Sequence, residues 1–177
     1  MSTETAVLAT AEKIAEAAGR EGQGDTKQYV SFEAGSEQYA VDIMSVREIK
    51  GWTDVTTLPN QPDHVRGVLN LRGAVLPIID LQCRLGGGFT DTNQRNVIVI
   101  VALNDRQVGL LVDAVSDILA VSDEKIQPVP ETNVREETRV FSGFLTDEDQ
   151  MVAMLDLHRL LSGESFENAP TEEALIQ

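Results

Sequence analysis

Two aspartates, Asp80 and Asp156, stand 76 residues apart in matching surroundings, each closing an apolar run and each followed by Leu. Paired carboxylates are standard equipment for general acid–base work, so these two are weighed first as catalytic groups. Each also precedes a stretch that reads as a helical turn, where an Asp side chain caps orphan backbone amides. The cap is the simpler reading, because neither position has a second convergent group. His64 and His158 are isolated, without a second His or Cys in register, so no metal site is expected. Cys83 is the only cysteine, which excludes an internal disulfide and a Cys-based metal site and fits a reducing compartment. Gly86-Gly87-Gly88 has neither the following Lys nor the strand-to-helix frame of a phosphate loop, and reads as a linker. Ser142, in FSGF, lies outside any nucleophile-elbow pattern and has no neighbouring base. No catalytic residue, metal or cofactor is expected.

The elements around the aspartates explain their matched settings. Gly67 to Leu81, GVLNLRGAVLPIIDL, echoes as Gly143 to Leu157, GFLTDEDQMVAMLDL, with Gly67/Gly143, Leu69/Leu145, Asp80/Asp156 and Leu81/Leu157 coinciding at one offset. In each copy two short apolar runs flank a polar tip, Asn70 to Gly73 or Thr146 to Asp149, which predicts a β-hairpin used twice. Upstream, YVSFE at 29–33 and QYAVDI at 38–43 alternate around Ala34 to Glu37 and predict a further hairpin. IMSVREIK at 43–50 reads as strand-like with a turn, and Leu58 to Pro62 as a loop whose prolines remove amide donors. NVIVIVALN and RQVGLLVDAV predict two strands joined near Asn104-Asp105, the first apolar enough to be buried on both faces. The pattern restarts there: Val112-Asp113 mirrors Val41-Asp42, and Val129-Pro130 mirrors Leu58-Pro59. Each half supplies about five strands, enough to close a small barrel. The expected fold class is mainly β: two five-stranded small barrels with short helical turns.

The 177 residues carry a formal charge of −15, of which −9 falls on residues 28–161. Such a surface repels phosphate backbones, and a single Trp offers little base stacking, so nucleic acid is not an expected partner. No apolar run approaches the roughly 20 residues of a bilayer span, so no direct membrane insertion is expected and the chain is read as cytoplasmic. Residues 1–27 are read as a flexible N-terminal extension, 131–139 as a polar mobile loop and 162–177 as an acidic tail. Residues 28–161 are read as two intertwined subdomains of about 28–88 and 89–161.

Three features exceed structural need. Arg72 sits at a hairpin tip beside Gly73, where its planar five-donor fork faces solvent unless a partner supplies a carboxylate or carbonyls. Ile43, Val46, Ile49 and Ile118 are more apolar side chains than one face of a small barrel needs, and a groove between barrels, fit for an amphipathic helix, would use them. Glu48 would rim that groove.

YAVDIMSVREI, LPNQPDHVRGVLNLRGAVLPIIDL and VGLLVDAVSDIL resemble the CheW family of chemotaxis coupling proteins, and the resemblance spans about residues 28–161 in order. It implies an Src-homology-3-like double barrel packed around a shared core and a non-catalytic adaptor. The implied partners are the cytoplasmic tips of methyl-accepting chemotaxis receptors, the regulatory domain of the histidine kinase CheA, and further copies of itself in rings. It implies a cytoplasmic protein recruited to membrane-associated receptor arrays. By resemblance the receptor-binding groove falls on Ile43, Val46, Glu48 and Ile118, signalling assembly on Arg72, and the kinase-binding end on Val55, Leu58 and Arg66. The alternatives are a scaffold of a related chemosensory pathway that does not control motility, and a small Asp-based enzyme.

Overall fold

The structure is a computed structural model that describes residues 26–130 and 139–162, together with Glu12. Of the expected N-terminal extension only Glu12, Thr26 and Lys27 are described, and the last two correct its boundary by opening the first strand; the polar loop lies outside the described residues except for Arg139, and the acidic tail except for Ser162. Among the described residues ten strands run in chain order: β1 (Thr26–Ala34), β2 (Glu37–Asp42), β3 (Val46–Gly51), β4 (Val65–Leu71), β5 (Ala74–Asp80), β6 (Val97–Leu103), β7 (Arg106–Val112), β8 (Ala114–Ser122), β9 (Phe141–Asp147) and β10 (Gln150–Leu155). Two short helices, α1 (Leu81–Arg84) and α2 (Leu157–Leu161), follow the matched aspartates. The strand-with-a-turn reading of 43–50 resolves into a 3-10 turn, Ile43–Ser45, leading into β3.

Three two-residue hairpin turns place both central residues at positive φ, as type I′ geometry requires: Gly35-Ser36 (60°, 70°), Arg72-Gly73 (52°, 86°) and Glu148-Asp149 (49°, 89°). The third does so without glycine, at about 1 kcal/mol per left-handed residue.

The strands form two five-stranded sheets, ordered β8-β1-β2-β10-β9 and β3-β6-β7-β5-β4. The expected division near residue 88 does not separate them, since it falls between β5 and β6 of one sheet. Instead the halves exchange hairpins. The β1-β2 hairpin pairs with β8 and, in parallel, with β10, while the β6-β7 hairpin pairs with β3 and, in parallel, with β5. Brief connections mark the exchange: a 3-10 turn separates β2 from β3, and Asp113 alone separates β7 from β8. At both points the chain passes directly from one sheet into the other.

Each sheet closes through a short bridge. The chain beyond β3 returns at Thr56 to bridge Val68 of β4, and the chain beyond β8 returns at Gln127 to bridge Phe144 of β9. The repeated glycines sit beside these seams. A Cβ on Gly67 would run into the Thr56 carbonyl oxygen, and one on Gly143 would lie 2.7 Å from the Gln127 carbonyl oxygen and 2.6 Å from Ile126 Cγ2. The Gly echo is therefore the price of closing two narrow barrels.

β6 confirms the reading of burial on both faces, with Val97 to Val101 all buried. Ile98 and Ile100 fill the interior of the second barrel with Leu76 and Ile78. Val97, Val99 and Val101 point the other way, into a core shared by both barrels that also takes Val30, Phe32 and Val41. Ala40, Val152 and Met154 belong to the interior of the first barrel. Each fully buried aliphatic side chain contributes about 1.5–3 kcal/mol. With three apolar layers in series, neither barrel is independent of its neighbour.

Candidate docking surfaces

Asp80 is completely buried at the end of β5. It accepts from Cys83 N at 3.3 Å, Thr90 N at 2.7 Å and Thr90 Oγ1 at 2.5 Å, and pairs with Arg66 Nε at 3.3 Å. Arg66 Nε is itself buried and outside hydrogen-bonding angle, so that pairing is charge attraction. A second guanidinium nitrogen of Arg66, Nη2, donates to the Thr90 carbonyl, and Arg66 Cζ lies over the Phe89 ring, 5.8 Å from its centroid. Thr90 thus ties the segment after the glycines to the barrel. Asp156 follows the same plan more loosely, accepting from Arg159 N at 3.2 Å and pairing with Arg159 Nε at 3.5 Å. The backbone repeats too, with Asp80 N donating to His64 O and Asp156 N to Val140 O, both at 2.7 Å. Both aspartates are caps, as their positions predict.

Burial, reinforced by the Asp80 and Asp63 carboxylates and opposed by Arg66, pushes the Cys83 thiol above its ordinary range. Among the described residues no three His, Cys, Asp or Glu side chains are grouped to hold a metal ion.

The apolar residues expected to line a groove have another duty. Ile43 and Val46 are 4% and 7% exposed and belong to the core between the barrels, with Ile49 beside them. Ile118, half-buried on β8 opposite Val30, packs on the same core. The structure brings these residues together as packing and not as an open groove, because the exchanged hairpins need filling on both sides. A charge at Val46 would enter that core. The apolar group that does face solvent is Met44, 61% exposed on the 3-10 turn. Asp42 caps that turn by accepting from Met44 N at 2.9 Å, and Arg47 Nη1 donates to Met44 O at 3.2 Å. Met44 was missed in sequence because its neighbours Ile43 and Val46 carry the periodicity.

Arg72 also finds its carboxylate within the chain. Its Nη2 donates to both carboxylate oxygens of Glu48 at 3.1 Å, correcting the expectation of an internally unpartnered fork. Ring closure explains the meeting, since the Thr56–Val68 seam lays the chain from β3 along the β4-β5 hairpin. The Arg72 side chain stays 77% exposed and that of Glu48 29%, so the pair is presented to solvent.

At the kinase-binding end assigned by resemblance, the same seam sets Val55 and Leu58 beside β4, which carries Arg66. Val55 packs half-buried on the second barrel's interior. Leu58 is half-buried in the loop before Pro59. Arg66 is held inward by Asp80 and Thr90, so its guanidinium positions the linker segment.

Two closed barrels sharing one core, with the matched aspartates spent on caps and the exposed Glu48–Arg72 pair at one hairpin tip, define a double-barrel interaction module. A family model for the CheW-like domain matches residues 28–165, and the chain belongs to that family. It is 47% identical over 147 residues to the probable chemotaxis protein CheW of Rhizobium etli, covering 83% of this chain and 94% of that protein. It is 37% identical over 159 residues to the chemotaxis protein CheW of Klebsiella aerogenes, covering 90% of this chain and 92% of that one. The crystal structure of the scaffolding protein TtCheW from Thermoanaerobacter tengcongensis superposes with a TM-score of 0.73 at 29% identity, over 84% of this chain and 97% of that one. No helix of the described residues is long and apolar enough to cross a membrane.

Proposed function

We propose that this chain is a non-catalytic chemotaxis coupling protein, which joins methyl-accepting receptor tips to the regulatory domain of the histidine kinase CheA. The observation that carries the reading is the Glu48–Arg72 pair, presented at an exposed hairpin tip of a CheW-like double barrel. The receptor face is the surface over Ile43, Val46, Glu48 and Ile118, where Met44 supplies the accessible apolar contact. The kinase face is the seam carrying Val55 and Leu58, braced from inside by Arg66. The chain works beneath the membrane, recruited to receptor arrays.

A receptor change reaches the kinase through such an adaptor only if the two receptor states differ in contact free energy with it, typically by about 1–3 kcal/mol. Moderate affinity at each face suffices, because linked copies in an array add their contacts as avidity.

The test is size-exclusion chromatography of the purified chain with a CheA regulatory domain and a receptor cytoplasmic fragment. One peak holding all three components is expected, and elution of the chain apart from both fragments contradicts the proposal. Met44→Glu should weaken the receptor arm alone, since Met44 is exposed and its loss leaves the core filled.

A further inference from the structure

In a chain of net charge −15, three arginines converge on one cleft. Arg84 at the end of α1, Arg159 within α2, Arg139, Val140 and Ser162 line a space of about 370 Å³. Arg159 is partly neutralised by Asp156 at 3.5 Å, and its Nη1 donates to the Arg139 carbonyl at 3.3 Å. Neither the Arg84 nor the Arg139 guanidinium has a carboxylate or carbonyl partner among the described residues. Among the described residues the cleft therefore holds about two positive charges without a counter-charge, in forks whose geometry suits carboxylates.

Ser162, on the cleft wall, is followed by a segment, 163–177, that contains Glu164, Glu167, Glu172 and Glu173 and no Lys or Arg. Glu164 lies two residues beyond Ser162, within about 7 Å of extended chain. The other segment adjoining the cleft, 131–138, is less complementary, because Arg135 offsets one of its three acids.

We propose that the cleft lined by Arg84, Arg139 and Arg159 is a carboxylate-binding site whose occupant is this chain's own acidic segment 163–177. Tethering supplies an effective concentration on the order of millimolar, so a weak intrinsic affinity is enough for occupancy. The contact is ionic and at the surface, so salt screens it. The site lies apart from the Glu48–Arg72 tip and does not depend on the coupling role.

The test uses a fluorescent peptide of residues 163–177 and full-length chains. In one chain, Glu164, Glu167, Glu172 and Glu173 are each changed to Gln to release the cleft. The peptide is expected to bind this chain about tenfold more tightly than the unaltered one, the ratio for a tethered competitor at tenfold its dissociation constant. Adding Arg84→Gln and Arg139→Gln to the released chain should abolish peptide binding while far-UV circular dichroism and the melting temperature hold, Arg139 being exposed and Arg84 half-buried with no ion pair among the described residues. Raising the salt to 0.5 M should weaken binding several-fold. Equal affinity for the released and unaltered chains, no binding to either, or binding that survives the arginine changes would each overturn the proposal.

Discussion

The β4-β5 and β9-β10 hairpins are the same device placed twice, and they diverge at both ends. At the base, Asp80 is sealed from solvent among Arg66, Thr90 and Cys83, whereas Asp156 keeps 29% of its side chain exposed and pairs with Arg159 within its own helix. At the tip, Arg72-Gly73 is gripped by Glu48, whereas Glu148-Asp149 sits in a run of three consecutive acids with Met151 exposed beside it. What the copies share, Gly, Leu and Asp, closes a barrel, fills it and caps the following helix. What they do not share is where a partner can tell one barrel from the other.

The largest test of this division removes a shared residue. Gly67→Ala should cost about 3–5 kcal/mol in urea unfolding, combining a Cβ forced onto the Thr56 carbonyl with a φ of +152°. Gly143→Ala should cost about 2–3 kcal/mol, since its clashes are milder and its φ is ordinary. A tolerant Gly67 would mean that the seam is looser than it looks.

The capping aspartates sharpen the contrast. Asp80→Ala strands the partly buried Arg66 and should cost about 3 kcal/mol, whereas Asp156→Ala loses a cap and an exposed pair, about 1 kcal/mol. Equal losses would erase the distinction between the two bases. A smaller effect should appear at Cys83, whose counterpart in the second copy is Arg159. With its thiol pushed up by burial and by Asp80, Cys83 should alkylate several-fold more slowly near pH 8.5 in the folded chain than in urea. The raised value also means that the unfolded chain ionises first. Stability from this group is thus whole below the unfolded thiol's range and declines as pH rises through it. Folded and unfolded rates that coincide would remove Asp80 from the thiol's surroundings.

Strands, hairpin turns and both caps were legible in sequence because each follows from local pattern: period-two alternation, left-handed tips, and Asp before a helical turn. Partner choice was not. The exchange of β1-β2 and β6-β7 depends on pairings such as Val30 with Ile118 and Ile78 with Gly109, and alternation carries no address for a strand that far along the chain. The same gap hid the burial of Ile43 and Val46, whose spacing speaks of an apolar face without saying whether solvent or another sheet covers it. Arg72 was singled out correctly as an exposed fork, but Glu48, 24 residues earlier, becomes its partner only once the ring has closed.

The most direct measurement is Arg72→Glu, read in parallel for stability and for assembly with CheA and receptor fragments. The Glu48 pairing is a surface contact worth less than about 1 kcal/mol, so the melting temperature should move by only a few degrees. Formation of the three-component complex should fall at least tenfold. A collapsed melting temperature would make Arg72 a structural residue, and undiminished assembly on an intact fold would contradict the assignment of partner recognition to the unrepeated tip.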